Sequence, residues 1–296
     1  MSVPQRIAIT GASGLIGTAL VGHLKSEGHT VQRLVRRAPV AADEVQWDPQ
    51  TGFVNLEPLR GVDAIIHLAG VGVGDKRWNK KYKSEILNSR LLGTTAIANA
   101  VAELKPQVFI SASAIGWYGE SGNRAVVETD RAGDDFLAAV CREWEAAADL
   151  AGEVRTVKIR TGLVLDPTGG ALGKMLPLFR LGLGGKMGNG KQWWSWITLH
   201  DQIRAIVFAL ENPISGPVNV TAPNPVTNQE FTSALARAMH RPALFPAPAL
   251  ALKIALGGFS SEILGSKRVI PHVLQEAGFT WDYPHISEAL AQLVED

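Results

Sequence analysis

The sequence predicts an α/β fold, a doubly wound parallel sheet with a smaller C-terminal substrate-side lobe. Three observations carry that prediction. Strand-like and helix-like segments alternate through the first half of the chain. A glycine turn, Gly11–Gly17, lies between an apolar run and an amphipathic one. With 296 residues, 46% apolar and 19% charged, the chain can bury a large core.

The elements follow in order. Arg6–Thr10 reads as a buried strand, and Leu15–Glu27 has helical spacing closed by Gly28. Val31–Val35 is a second strand and Val45–Trp47 a short third. Ala64–Leu68 is a fourth, with the continuous apolar centre of a strand covered on both faces. Lys80–Leu104 is a long helix, Gln107–Ser111 a fifth strand, Asp134–Leu150 a helix and Arg155–Leu165 a sixth strand. Beyond it, Trp193–Leu199 and Pro217–Val220 read as strands, with helices at His200–Glu211 and Thr227–His240, the latter capped by Thr227. Residues 1–245 are expected to form the nucleotide-binding domain, with 166–200 and 220–245 on its substrate side. Residues 246–296 are too few to fold securely alone and are expected to pack on that lobe, with Leu250–Leu256 against Trp193–Trp196 and with Lys267 and Arg268 near the cleft, meeting an anionic ligand or, in preference, solvent.

Charge and cysteine content exclude several classes. Lys+Arg is 29 and Asp+Glu 28, a net charge of +1, which argues against nucleic-acid binding by bulk charge. The single cysteine, Cys141, rules out an internal disulfide. The seven histidines show no metal-ligand spacing, so no metal site is expected. His67, in a buried strand, reads as a core residue. No targeting or membrane segment is visible, and a cytoplasmic protein, monomer or homodimer, is expected, with a small-molecule substrate and no membrane partner.

The glycine turn carries the functional argument. Gly11 permits the tight exit from the strand, Gly14 removes a Cβ where a pyrophosphate must approach, and Gly17 allows close packing of the helix. The N–H groups at the helix start, around Ser13, Leu15 and Ile16, then face the anion.

The spacing is GxxGxxG, and it resembles the extended, atypical branch of the short-chain dehydrogenase/reductase superfamily. Three segments agree: Leu68-Ala69-Gly70; Ile110-Ser111-Ala112-Ser113 with Trp117-Tyr118-Gly119; and Ile159-Arg160-Thr161-Gly162. Lys76-Arg77-Trp78, Ser89-Arg90, Leu181–Gly185 and the tail segment Leu264–Pro271 resemble its epimerase-like, SDR39U1-like or YfcH-like, subfamily. The resemblance implies a Rossmann-type sheet. It also implies cofactor contacts from Leu68, Ala69, Gly70, Arg90, Ser111, Ala112, Arg160 and Gly162.

Cofactor choice is read from the second strand. An NAD site places an acid at its end for the ribose 2′-hydroxyl. None occurs between Val31 and Ala42, where Arg36 and Arg37 stand instead. Two guanidinium groups suit a 2′-phosphate, so NADP(H) is expected in preference to NAD(H), with Arg36 the better placed. Trp47-Asp48 are candidates to flank the adenine.

The superfamily's Tyr-x-x-x-Lys relay is missing. If Glu145 matches the acid that usually follows the lysine, Leu137 and Cys141 occupy the tyrosine and lysine places. Ser113 then remains to polarise a carbonyl, and Tyr118 to supply a proton or simply to pack. The basic cluster Lys76–Lys83 reads as a solvated helix start or as the wall of an anionic cleft. Two functions are open. One is an NADP(H)-dependent oxidoreductase or nucleotide-sugar-epimerase-like enzyme acting on a small carbonyl or alcohol. The other is a non-catalytic NADP(H)-binding sensor or partner-binding protein.

Overall fold

A computed structural model describes residues 3–295. The elements run β1 (Arg6–Thr10), α1 (Leu15–Ser26), β2 (Thr30–Val35), β3 (Glu44–Asp48), β4 (Phe53–Val54), β5 (Ala64–His67), α2 (Lys80–Leu104) and β6 (Val108–Ala114). They continue with β7 (Ala125–Val126), α3 (Phe136–Ala148), β8 (Arg155–Thr161), β9 (Leu163–Asp166), α4 (Gly170–Arg180), β10 (Trp193–Trp194), β11 (Trp196–Thr198), α5 (Leu199–Glu211), β12 (Gly216–Val220), β13 (Val226–Thr227) and α6 (Asn228–Ala238). The tail holds α7 (Ala249–Leu256), α8 (Ser260–Leu264), β14 (Arg268–Val269), α9 (His272–Glu276) and α10 (Ile286–Glu295).

Eight strands form the central sheet in the order β12-β8-β6-β5-β1-β2-β3-β4. All neighbours are parallel except β4, which returns antiparallel on β3. This is the doubly wound, Rossmann-like architecture. The chain runs outward from β1 to β3, then restarts on the other side with β5. The crevice at the carboxyl ends of β1 and β5 is therefore the place where such sheets bind ligands.

Strand alternation decides which side each residue faces. Ile7, Ile9, Ile66 and Ile110 pack in one core layer with Leu20 and Leu24 of α1 and Ile203 and Ile206 of α5. Ala8, Ile65 and Phe109 face the other way, onto Ile97 and Val101 of α2. A third core joins Leu172, Leu176 and Phe179 of α4 with Trp196, Phe231 of α6 and Ile286 and Leu290 of α10. The tail thus contributes to two cores, since Leu274 and Phe279 lie in the first. Among the described residues no helix is long and apolar enough to cross a membrane.

Two expectations for the tail are corrected. Helix α7 does not bury itself on Trp193–Trp196: none of its residues is buried, and Leu250 and Ile254 are 70% and 66% exposed. The contact with that region comes instead from the Ile263 carbonyl, which accepts the Trp194 indole N–H at 3.3 Å, and from Ser266 Oγ, which accepts the Trp193 N–H at 3.0 Å. Nor does Lys267 face water, and Arg268 is only half-exposed. Lys267 is buried and pairs with Glu262 at 3.0 Å, and the Arg268 guanidinium lies 4.4 Å from the Trp193 ring centre.

Candidate functional site

The turn after β1 is built by close contacts that only glycine permits. Gly11 has φ +69°, and a Cβ there would meet Ala69 N and Leu68 C at 2.8 Å. A Cβ on Gly17 would stand 2.1 Å from the Gly11 carbonyl oxygen, so Gly17 packs against the turn itself. Gly14 differs. A Cβ there would meet only the Gly11 oxygen, at an ordinary 3.4 Å. The protein does not need that glycine for its own packing; the open space belongs to the cleft.

That cleft has a volume of about 1170 Å³. Gly11, Ser13, Gly14, Arg36, Arg37, Leu68, Ala69 and Gly70 line it, as expected from the sequence, and so does Trp47. Gly14 is the N-cap of α1 and offers no side chain to its first turn. The leading N–H groups of Leu15 and Ile16 are thus left for an anion in the cleft. A space beside an uncapped helix start, next to a bare Gly14, fits a dinucleotide pyrophosphate.

At the far end of the cleft the two expected arginines part company. Arg37 donates to both oxygens of Glu44, at 2.7 and 2.6 Å. Arg33 does the same with Asp43, at 3.0 and 2.7 Å. The Arg37 hydrogen bonds, with the Val40 N–H, hold the Glu44 carboxyl at about 2. Arg36 is exposed, lines the cleft and has no acidic partner among the described residues. Sequence reasoning missed Arg33 and Glu44. The signal was present one residue past the window searched, in Asp43-Glu44.

Several residues expected at the cofactor have their side chains engaged elsewhere; Leu15 and Ile16 offer the cleft only their N–H groups. Arg160 is 2% exposed, bonds both oxygens of Glu145 at 2.8 and 2.9 Å, and lies 3.9 Å from the Trp117 ring centre. It braces the sheet instead of lining the cleft. Gly162 is fixed by packing, since a Cβ would strike Ser195 O at 2.7 Å. Ser111 is buried and Ala112 half-buried in β6, outside the cleft wall. Leu15 packs its side chain toward Gly169 and Gly170, Ile16 lies against the core, and Gly17 meets the turn. Arg90 stands behind Gly70, donates to the Val71 carbonyl at 2.9 Å and lies 4.8 Å from the Trp144 ring centre. Burial lowers its pKa.

The strand that should bear the chemistry is closed on itself. Ser113, 3% exposed, donates its hydroxyl proton to Glu145 Oε1 at 2.6 Å. The hydroxyl held this way can accept a hydrogen bond but cannot polarise a carbonyl by donating one. Tyr118 donates to Asn219 Oδ1 at 2.7 Å and accepts from Arg160 at 3.0 Å. Burial pushes its phenol up to about 12. These bonds give Tyr118 a structural task, the packing alternative of the two the sequence left open. Leu137 and Cys141 line one face of α3 against Gly116. Burial, followed by the nearby Glu145 charge, pushes the Cys141 thiol up to about 12, which disfavours the thiolate.

His200, Asp201 and Asp282 bring ligand atoms within 4.8 Å of one another. Arg204 already bonds both acids, at 2.8 and 3.2 Å, and Asp201 also accepts the Asp282 and Tyr283 N–H groups. The group is a joint between α5 and the tail.

A doubly wound sheet, an uncapped glycine turn at its switch point and a long cleft along β2 define a nicotinamide-dinucleotide-binding protein of the extended short-chain dehydrogenase/reductase class. The chain belongs to the NAD dependent epimerase/dehydratase family, whose profile matches residues 7–221, and a domain of unknown function, DUF1731, matches residues 247–293. It is 44% identical over 290 residues to an epimerase family protein of Mycobacterium leprae, covering 96% of this chain and 94% of that one. It is 36% identical to epimerase family protein SDR39U1 of Bos taurus, covering 98% of this chain and all (100%) of the other. The crystal structure of human epimerase family protein SDR39U1 (isoform 2) with NADPH superposes with a TM-score of 0.91 at 33% identity, covering 98% of this chain and 99% of that one.

Proposed function

We propose that this chain binds NADP(H) in preference to NAD(H) and uses it as an oxidoreductase or epimerase-like enzyme on a small carbonyl or alcohol. The observation that carries the preference is the division of labour among three arginines. Arg33 and Arg37 are neutralised by Asp43 and Glu44, and Arg36 alone faces the cleft uncompensated. The same clasp withdraws Glu44, the one acid in the cleft wall near the end of β2, from a ribose 2′-hydroxyl. The human relative was solved with NADPH, which agrees.

In this reading the α1 N–H groups and Gly14 hold the pyrophosphate, Arg36 the 2′-phosphate, and Leu68–Gly70 the adjoining ribose. The nicotinamide, when bound, supplies or accepts hydride at a substrate carbon. Ser113, its proton committed to Glu145, orients an alcohol by accepting its hydrogen bond. Leu137 and Cys141 stand at the relay positions and move no proton, so water takes that part. The protein works in the cytoplasm as a monomer or homodimer, and its lone buried thiol suits a reducing compartment.

A second reading is a non-catalytic NADP(H)-binding sensor, favoured by Leu137 and Cys141 at the relay positions and by the internal bonding of Ser113. Titration of the full chain with NADPH and NADH tests what both share. NADPH should bind at least about tenfold tighter, the worth of one charge-assisted contact. Arg36→Ala should erase the difference and leave NADH affinity alone. Equal affinities in the parent would sink the assignment. Oxidation of bound NADPH across a carbonyl panel then separates enzyme from sensor.

A further inference from the structure

A second cavity, of about 520 Å³, lies between the start of α2, the start of α3 and the α7–α8 segment. Its apolar wall is Trp78, Phe136 and Leu137, with Trp78 and Phe136 meeting edge to face at 5.4 Å. Lys83 stands over this wall, its Nζ 4.7 Å from the Phe136 ring centre and 5.4 Å from that of Trp78. The aromatic faces position that ammonium without neutralising it. Lys253 of α7, exposed at the rim, lines the same space.

The acids nearby are already engaged. Asp135 caps α3 by accepting the Ala138 N–H at 2.8 Å. Glu262 pairs with Lys267 at 3.0 Å. Glu85, the acid nearest Lys83 in sequence, pairs with Lys76 at 3.4 Å. Among the described residues neither Lys83 nor Lys253 has a carboxylate ion-pair partner: of the acids in the wall, Glu262 is spent on Lys267, and Asp135 is turned to the α3 N-terminus.

We propose that this cavity binds small molecules carrying a carboxylate or phosphate on an apolar body, the anion between Lys83 and Lys253 and the body against Trp78 and Leu137. The tail segment matched only to a domain of unknown function would then supply one wall of a ligand site. Leu137 links the cavity to the chemistry, because it packs on Gly116 just beyond the Ser113 strand. That the occupant is the substrate rests on the nucleotide reading above; that an anion binds here does not.

Phenyl phosphate and benzoate are suitable probes, with benzyl alcohol as the neutral control, titrated by calorimetry into the full chain saturated with NADPH. The double variant Lys83→Gln, Lys253→Gln should bind one or both anions at least about tenfold more weakly, the scale of lost charge-assisted contacts. It should keep its melting temperature and its NADPH affinity, and Lys191→Gln should change nothing. Loss of one anion alone identifies the head group. If neither anion binds the parent, if the double variant binds both as well as the parent does, or if benzyl alcohol binds as tightly, the proposal fails. A parent that does not bind NADPH sinks the nucleotide reading instead, and dependence of phenyl phosphate binding on the two lysines still decides this one.

Discussion

The two ends of the β1–β6 crevice treat their polar groups in opposite ways. At the glycine turn the chain leaves donors unspent: α1 has no side-chain cap, Gly14 leaves the space beside it open, and Arg36 has no acid among the described residues. Across the sheet, around β6 and β8, the hydroxyl protons of Ser113 and Tyr118 and the Arg160 guanidinium are spent within the fold, on Glu145, Asn219 and one another. An unsatisfied group is costly unless something arrives to satisfy it, so the first region is shaped for a visitor. The second is shaped for stability, at the place where relatives of this fold class place proton chemistry.

The largest effect should come from opening the closed region. Glu145→Ala strands the buried Arg160 guanidinium and the Ser113 hydroxyl together. Removing one partner of a buried pair costs about 3–5 kcal/mol, read as a lower urea midpoint. Glu145→Gln, which keeps the hydrogen bonds and loses the charge, should recover part of it. A near-silent Glu145→Ala would show that this network is not what holds the strands.

The glycine turn can be tested against itself. Gly17→Ala should damage the fold by about 1–3 kcal/mol or more, because its Cβ lands on backbone. Gly14→Val should leave melting nearly unchanged and weaken NADPH roughly a hundredfold, because its side chain enters the pyrophosphate space. Equal behaviour of the two variants would erase the distinction between a packing glycine and a binding glycine.

The smallest effect concerns the clasp at β2. Glu44 titrates at about 2 in the fold, below its ordinary 4.5. A lowered folded pKa means that its stabilisation is complete above about pH 4.5 and is lost as pH falls toward 2. Glu44→Gln should flatten acid unfolding in that window. It should also free Arg37 and tighten NADPH by roughly threefold, the scale of an ion pair with one exposed partner. A looser NADPH complex would place Glu44 on the cofactor.

What the sequence disclosed follows the same division. Helix α2 was legible to the residue, Lys80–Leu104, and the glycine turn gave the anion end of the cleft wall. Both signals are local: helical spacing in one case, glycine and strand in sequence in the other. Strand β6 runs on to Ala114, three residues past the expected end, because hydrogen bonding to β8 holds Ala112-Ser113-Ala114 extended despite weak strand propensity. The short strand β4 gave no signal at all, since two residues show no periodicity. Helix α7 was misdirected for another reason: Ala249–Leu256 is apolar all round save Lys253, so no stripe tells which face to bury. The ties of Arg160 to Glu145 and Tyr118 were invisible because no pattern along the chain joins those positions.

Glu128 carries a consequence for how the chain is made. Its carboxylate accepts the N–H groups of Asn219 and Val273, the second 145 positions further along. Asn219 in turn joins Tyr118 to the Ile270 carbonyl. As the polypeptide leaves the ribosome from its N-terminus, the centre of the sheet is synthesised long before the groups that complete it. Pairings of such long sequence separation form slowly, and during that interval a half-made crevice exposes apolar edges and a bare carboxylate to other chains. Stop codons or proteolytic nicks upstream of residue 270 therefore strike the middle of this protein, although they fall near its end.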